Sequence, residues 1–270
     1  MPEGPEVKVL VKELNNKLKN KNLNNINILG GRYKKKDPDN YKKFIEELPL
    51  KILEIKCKGK FIYFVMEKEW YIFNTLGLTG KWTINDLKHN NLLFSINDTI
   101  NDMKIYYNDI RNFGTFKFVN DNNILEKKLK TLGNDILEKD FTKEYVLKIL
   151  NNKKKFNKTI VEILMNQKLF CGLGNYLKSE ILYESKISPH RLLKDIGEKE
   201  KLLLFKNIKK ISNKFYIEGS SYKTSLNNIE LINNENFKVY KLKKDINNYN
   251  VIRETTKDKR TSFWVNEIQL

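Results

Sequence analysis

Between Glu6 and Leu18 the apolar residues Val7, Leu10, Val11, Leu14 and Leu18 recur three or four positions apart. This is the stripe of an amphipathic helix whose other face is basic. From about Leu50 to Val119 the period falls to two. Phe61, Tyr63 and Val65 alternate with their neighbours, Glu67-Lys68-Glu69 reads as a hairpin turn, and Trp70-Tyr71-Ile72-Phe73 opens the next strand, which predicts antiparallel sheet. Leu132-Gly133-Asn134-Asp135 interrupts the alternation, and helical spacing resumes from Tyr145 to Leu150 and continues to about Ile217. After Asn236 short alternating stretches return at Phe237 to Leu242, Tyr249 to Thr255 and Thr261 to Ile268, a candidate hairpin with a third strand. The pattern predicts an α+β chain. A sheet domain with a leading helix spans 1–131, a linker 132–151, a helical domain 152–235 and a terminal hairpin region 236–270. There is no internal repeat, and the Asn-rich stretches read as loops.

Composition narrows the class. A chain of 270 residues with 40% hydrophobic content can build two ordinary cores. Its 51 Lys and Arg against 33 Asp and Glu give a formal charge of +18, which favours a polyanionic partner such as nucleic acid. Charge alone does not choose, because a Lys- and Asn-rich composition also follows from an AT-rich genome. No segment approaches the roughly 18 apolar residues that span a bilayer, so no membrane partner and an intracellular protein are expected. Cys57 and Cys171 are the only cysteines; they imply no disulfide framework and suit a reducing compartment. With His89 and His190 they are too scattered to form a zinc set near the C-terminus, so no metal is expected.

The first residues carry the clearest chemistry. Met1-Pro2-Glu3-Gly4-Pro5-Glu6 is an unusual helix entry, with two prolines and two carboxylates close together. A small residue after Met1 favours removal of that methionine, which would leave Pro2 with a free secondary amine. An α-amino group of pKa about 7.7–8.0 is partly unprotonated at neutral pH and so is a usable nucleophile. Attack on a sugar C1′ displaces the base and yields an iminium. Because the proline nitrogen bears no second hydrogen, that iminium stays cationic and acts as an electron sink for elimination of phosphates; no dissociable cofactor is then needed. Glu3, beside the amine, can protonate the ring oxygen as the sugar opens. The alternative is a Pro-rich helix start whose carboxylates suit the helix dipole, and these six residues do not decide between the two.

The segment MPEGPEV resembles the opening signature of the Fpg/Nei DNA glycosylases, and further landmarks follow in the family's order along nearly the whole chain. The resemblance implies an N-terminal β-sandwich, a Pro2 nucleophile, Glu3 in acid/base catalysis and a further acidic position at Glu6. Lys60, in Lys58-Gly59-Lys60, falls where the family has a catalytic lysine that holds a phosphate. Leu76-Gly77-Leu78-Thr79-Gly80 resembles the loop that fills the hole left by an extruded base, with Leu78 where many relatives carry methionine. Asp109-Ile110-Arg111-Asn112-Phe113-Gly114 resembles a second intercalating loop, with Arg111 set to pair with the orphaned base and Phe113 to act as a wedge. Such filling offsets the cost of extruding a nucleotide, roughly a few kcal/mol. Taken singly, Leu78 and Phe113 read as core residues and Lys60 as a solvated charge.

The most specific internal signal is Phe170-Cys171-Gly172-Leu173-Gly174-Asn175 between two apolar helices. It resembles the family's helix–two-turn–helix, in which Gly174 lets the backbone approach a phosphate and Asn175 adds a donor. GLGNYLKSEIL is close to Nei-like members of eukaryotes and large DNA viruses. The stretch from Tyr240 to Val265 resembles their zincless finger, a β-hairpin held by packing in place of a four-cysteine zinc site, and Arg260 matches the arginine placed on the lesion's phosphate. Glu218 to Lys223 aligns with a family loop that can cover an extruded base. The resemblance implies a bifunctional glycosylase and AP lyase of base excision repair, a monomer acting on double-stranded DNA with oxidised bases or abasic sites. Oxidised pyrimidines and formamidopyrimidines are the expected substrates. Two alternatives stay open: an Fpg-like preference for oxidised purines, and a non-catalytic helix–two-turn–helix protein that binds nucleic acid.

Overall fold

A computed structural model describes residues 2–97, 102–221, 226 and 237–270. The chain divides into two compact units, the first made of Met1–Pro2, Glu6–Thr131 and Gly219–Leu231, the second of Glu3–Pro5, Leu132–Glu218 and Ile232–Leu270.

In the first unit, α1 (Gly4–Leu18, its opening residues excepted) buries Val7, Leu10, Val11, Leu14 and Leu18, the predicted stripe. Eight strands follow: β1 (Asn22–Ile28), β2 (Leu50–Lys58), β3 (Phe61–Met66), β4 (Tyr71–Thr75), β5 (Lys81–Thr83), β6 (Asn90–Asn97), β7 (Asp102–Asn108) and β8 (Thr115–Val119). They run in the order β5-β7-β6-β1-β2-β3-β4-β8, every pairing antiparallel. The β1–β2 junction is short, Asn22 opposite Lys51 and Leu23 opposite Leu50, so the ribbon folds over there into the two layers of a β-sandwich. Between the layers lies an aromatic cluster. The Trp82 ring packs 4.9 Å from Phe94, 5.5 Å from Phe64 and 5.8 Å from Phe116, at edge-on or tilted angles suited to aromatic quadrupoles.

Two features depart from the sequence pattern. The core takes Ile62, Phe64 and Met66 from β3, while Phe61 packs on the other face against Phe73 and the Lys128 ammonium. Both faces of this strand are apolar, so alternation alone could not orient it. The Asn-rich stretch NLNNINI is strand β1, not loop: Leu23 and Ile26 are buried and its backbone is paired on both sides. Two short helices, α2 (Tyr41–Glu46) and α3 (Asn122–Lys130), complete this unit.

The second unit is helical, with α4 (Lys143–Leu150), α5 (Ile160–Leu164), α6 (Asn175–Ser185) and α7 (Glu198–Ser221). Two short strands, β9 (Asn134–Asp135) and β10 (Phe170–Cys171), pair in parallel, and β11 (Ile252–Thr255) with β12 (Thr261–Trp264) forms the terminal hairpin. The stretch 132–151, expected as a linker, sends Ile136, Phe141, Val146 and Leu150 into the helical core. The expected third strand at Phe237 to Leu242 is absent among the described residues. The chain there is bent around the Glu180 carboxylate, which accepts the N–H groups of Lys238, Val239 and Tyr240 at 2.9, 3.0 and 2.9 Å. Tyr222 and Lys223, from the loop expected to cover an extruded base, lie outside the described residues. No described helix is long and apolar enough to cross a membrane.

Trp82 also donates its indole N–H to Asn74 Oδ1 at 3.1 Å. Trp82→Ala should therefore open a cavity and strand a buried acceptor, lowering unfolding free energy by about 3–5 kcal/mol in urea titration. A loss under about 1 kcal/mol would mean that the layers are not closed by this ring.

Candidate active site

Pro2 is buried in the first unit and lines an open pocket with Glu6, Leu78, Thr79 and Lys81 among its walls. Glu6 and Leu10 lie one turn apart on α1 and face the pocket together. Three sequence-expected residues, Pro2, Glu6 and Leu78, therefore meet at one place.

The loop carrying Leu78 is joined to the loop carrying Arg111 and Phe113 by one carboxylate. Asp109, fully buried, accepts Thr79 Oγ1 and the Arg111 N–H (3.3 Å) on Oδ1, and the Gly114 N–H (2.7 Å) on Oδ2. The Arg111 N–H also reaches Thr79 Oγ1 at 3.1 Å. Gly77 completes the junction: its φ is +62°, and a Cβ there would lie 2.7 Å from the Phe113 carbonyl carbon. Above this anchored base Phe113 is 52% exposed and Ile110 60% exposed, and the Arg111 guanidinium sits 5.0 Å from the centroid of the Phe113 ring. Phe113 is thus no core residue. Lys60 sits in the β2–β3 turn, where Gly59 takes φ +56°, and is not among the residues lining the Pro2 pocket.

In the second unit Glu3 is 1% exposed. Its carboxylate accepts the Tyr176 N–H on Oε1 at 2.9 Å and the Leu177 N–H on Oε2 at 3.3 Å. These are first-turn donors of α6 that no helical carbonyl can satisfy. The adjoining Gly4 N–H donates to the Gly172 carbonyl at 2.8 Å. A Cβ on Gly174 would lie 2.2 Å from Glu3 Cδ, so the close approach that Gly174 permits is to this carboxylate. Asn175 turns toward the hairpin, its Nδ2 donating to the Thr261 carbonyl at 2.8 Å. Arg260 is exposed in the β11–β12 turn.

Several polar residues that pattern reading passed over hold this hairpin. Tyr183 donates to Asp245 Oδ2 at 2.8 Å, and Asp245 Oδ1 accepts the Tyr249 N–H at 2.8 Å. Glu254 Oε1 meets His190 Nε2 and the Trp264 indole N–H, each at 2.6 Å. Tyr240 packs on Phe263 with centroids 5.0 Å apart, and burial first, then the Glu3 charge, pushes its hydroxyl pKa up. Burial likewise pushes the Glu180 carboxyl up against the opposing effect of its three N–H donors. Among the described residues no group of three or more His, Cys, Asp or Glu is placed to hold a metal ion.

The Glu3 seat makes a direct test. Gly174→Ala should lower stability by about 1–3 kcal/mol through overpacking, whereas in a Glu3→Ala background the same change should cost under about 0.5 kcal/mol, since the clashing atoms are gone. Chemical unfolding of the four proteins measures this; equal costs in both backgrounds would remove Glu3 from the seat.

Residues 1–116 match the family described as formamidopyrimidine-DNA glycosylase N-terminal domain, and residues 132–225 the formamidopyrimidine-DNA glycosylase H2TH domain. The formamidopyrimidine-DNA glycosylase of Ureaplasma parvum is 31% identical over 220 residues, 78% of this chain and 74% of that protein. That of Streptococcus agalactiae is 32% identical over 237 residues, 84% of this chain and 83% of its own. Among solved structures, wild-type Lactococcus lactis Fpg (MutM) in complex with an oxidised-pyrimidine-containing DNA matches with a TM-score of 0.82 at 22% identity over 99% of each chain. The same protein bound noncovalently to an AP-site-containing DNA gives a TM-score of 0.82 at 23% identity over 99% of each chain. Both units thus carry the family's sequence, and their fold is that of Fpg: the chain belongs to the formamidopyrimidine-DNA glycosylase family.

Proposed function

We propose that this chain is a bifunctional DNA glycosylase and AP lyase that excises oxidised bases through a covalent Pro2 intermediate and nicks the strand by β,δ-elimination. The observation that supports it most is the place of Pro2 on an open pocket beside Glu6, with Glu3, the next residue, held as a buried carboxylate. Once Met1 is removed, the Pro2 nitrogen attacks C1′ with its lone pair, and the glycosylic bond breaks with its electrons leaving on the base. Two backbone N–H groups orient the Glu3 carboxyl. Glu3 takes the proton from the attached amine and returns it to O4′ as the sugar ring opens. The resulting C1′ iminium acidifies C2′. Loss of that proton expels the 3′ phosphate, and a second elimination expels the 5′ phosphate.

Under this reading Lys60 and Arg260 hold phosphates near the lesion, and Gly174 and Asn175 shape the phosphate-facing turn of the helix–two-turn–helix. Leu78, Arg111 and Phe113 fill the space of the extruded nucleotide; the exposure of Phe113 on an anchored loop suits a wedge. The hairpin serves as a zincless finger, with buried polar contacts where other members use a metal. We take duplex DNA as the partner and formamidopyrimidines with oxidised pyrimidines as the substrates. A second reading is Fpg-like action on oxidised purines, and borohydride trapping on duplexes carrying each lesion class separates the two. A non-catalytic DNA-binding role predicts no trapped adduct on any of them.

Pro2→Gly should retain some trapped adduct, because a terminal amine remains, while an uncleaved extension ahead of Pro2 should abolish trapping. Excision at the normal rate by the extended protein would refute Pro2 as nucleophile. Purified protein should contain substoichiometric zinc by metal analysis and keep its activity in chelator; stoichiometric zinc would overturn the zincless finger.

A further inference from the structure

The strongest feature outside the Pro2 pocket is a fully buried ion pair. Lys178, on α6, is 0% exposed, and its Nζ lies 2.7 Å from Oδ2 of Asp258, whose side chain is 2% exposed. Asp258 belongs to the β11–β12 turn, two residues before Arg260. Its other oxygen accepts Thr256 Oγ1 at 2.6 Å, and Thr256 Oγ1 also meets Ser262 Oγ at 2.7 Å. The turn closes through Thr256 N–H to the Arg260 carbonyl at 3.1 Å and Lys259 N–H to the Thr256 carbonyl at 2.8 Å, with Lys259 left-handed at φ +59°. One turn toward the start of α6, Asn175 grips the Thr261 carbonyl. The helix therefore holds the turn on both sides of Arg260, at Asp258 and at Thr261.

Stability does not require a charged pair here. A buried ion pair is commonly replaced by well-packed apolar residues at no loss, whereas removing one partner is costly. What the pair supplies is direction: one ammonium position accepts one carboxylate position, and so one register of the turn. It also answers an electrostatic problem. Lys257, Lys259 and Arg260 crowd the turn with positive charge, and a buried ammonium beneath them would repel it without Asp258. Burial pushes the Lys178 ammonium pKa down, Asp258 and Glu3 hold it up, and the Arg260 charge pushes it down again, so the guanidinium lies within the field of the pair.

We propose that the buried Lys178–Asp258 pair positions Arg260 to take a phosphodiester of the DNA strand, making Lys178 and Asp258 positioning residues for base excision. This rests on the function proposed above.

The test compares Arg260→Ala, the double variant Lys178→Met with Asp258→Leu, and all three changes together, each checked by circular dichroism. The apolar double variant removes the pin without leaving a buried charge unpaired. The readouts are single-turnover excision of an oxidised pyrimidine from duplex DNA and the salt dependence of binding to a duplex with a tetrahydrofuran abasic analogue. Arg260→Ala and the double variant should each slow excision roughly ten- to a hundred-fold, as loss of a charge-assisted hydrogen bond does. Each should make the slope of log K against log salt shallower by about 0.9, one phosphate's share. The triple variant should stay within about twofold of either, because both changes remove one contact. A folded double variant with the wild-type slope, on which Arg260→Ala still exerts its full effect, overturns the positioning role alone. If Arg260→Ala by itself changes neither readout, the phosphate role of Arg260 is wrong and the proposal falls with it. Should the double variant fail to fold, Asp258→Glu, which keeps the charge pair but displaces the turn by one methylene, decides by the same two readouts.

Discussion

A carboxylate removed from water must find donors, and Glu3 finds them at the first turn of α6. Much of the second unit follows from that seat. The donors exist because a helix leaves its first N–H groups unpaired; the carboxylate reaches them because Gly174 has no side chain to obstruct it. The Gly4–Gly172 backbone bond closes the same junction from the other side. The residue bonded to Glu3 is Pro2, so what fixes the acid also constrains the proposed nucleophile. Under the proposed function Glu3 serves both as a structural anchor and as a proton carrier, its carboxyl held in one place by the donors that anchor it.

Helix α6 carries further polar demands. It is buried nearly all round, yet it includes Lys178, Ser179, Glu180, Tyr183 and Ser185, each of which must be satisfied internally. The solutions point outward along the helix. Asn175 and Lys178 bind the Arg260 turn, Glu180 gathers the N–H groups of residues 238–240, Tyr183 holds Asp245, and Ser185 accepts a hydrogen bond from Asn207 at 3.0 Å. Many of the groups that hold the hairpin lie on this helix, which couples the hairpin's geometry to the helix that seats Glu3.

Legibility in the sequence followed the physics of each element. The α1 stripe was readable because one face is core and the other solvent. β1 was hidden because its asparagines look like loop chemistry, whereas backbone pairing on both sides and two buried side chains decide it. Phe237 to Leu242 looked like a strand because alternation is also produced when a bent segment is pinned by a distant carboxylate. The expected site residues stood in short motifs, and the structure brings Pro2, Glu6 and Leu78 among them to one pocket. The supporting contacts, Asp109 under the two loops, Lys178 with Asp258, and Glu180 with the backbone of residues 238–240, join residues about 30 to 80 positions apart. No local pattern encodes a partner at that distance.

Asp109 repeats in the first unit what Glu3 does in the second. Leaving Phe113 52% and Ile110 60% exposed forgoes part of the roughly 1.5–3 kcal/mol that full burial of each side chain is worth, and a free loop would recover it by folding those residues onto the sheet. It is prevented from doing so because both ends of its tip are tied to one buried carboxylate, while Gly77 brings the Leu78 loop against its backbone. Under the proposed function the energy forgone has a use. A wedge already ordered before DNA arrives loses little conformational entropy on entering the base stack, so more of its burial is available to offset extrusion of the damaged nucleotide. Under that function the exposed ring and the buried aspartate are two parts of one device, Asp109 fixing the loop tip that keeps Phe113 off the sheet.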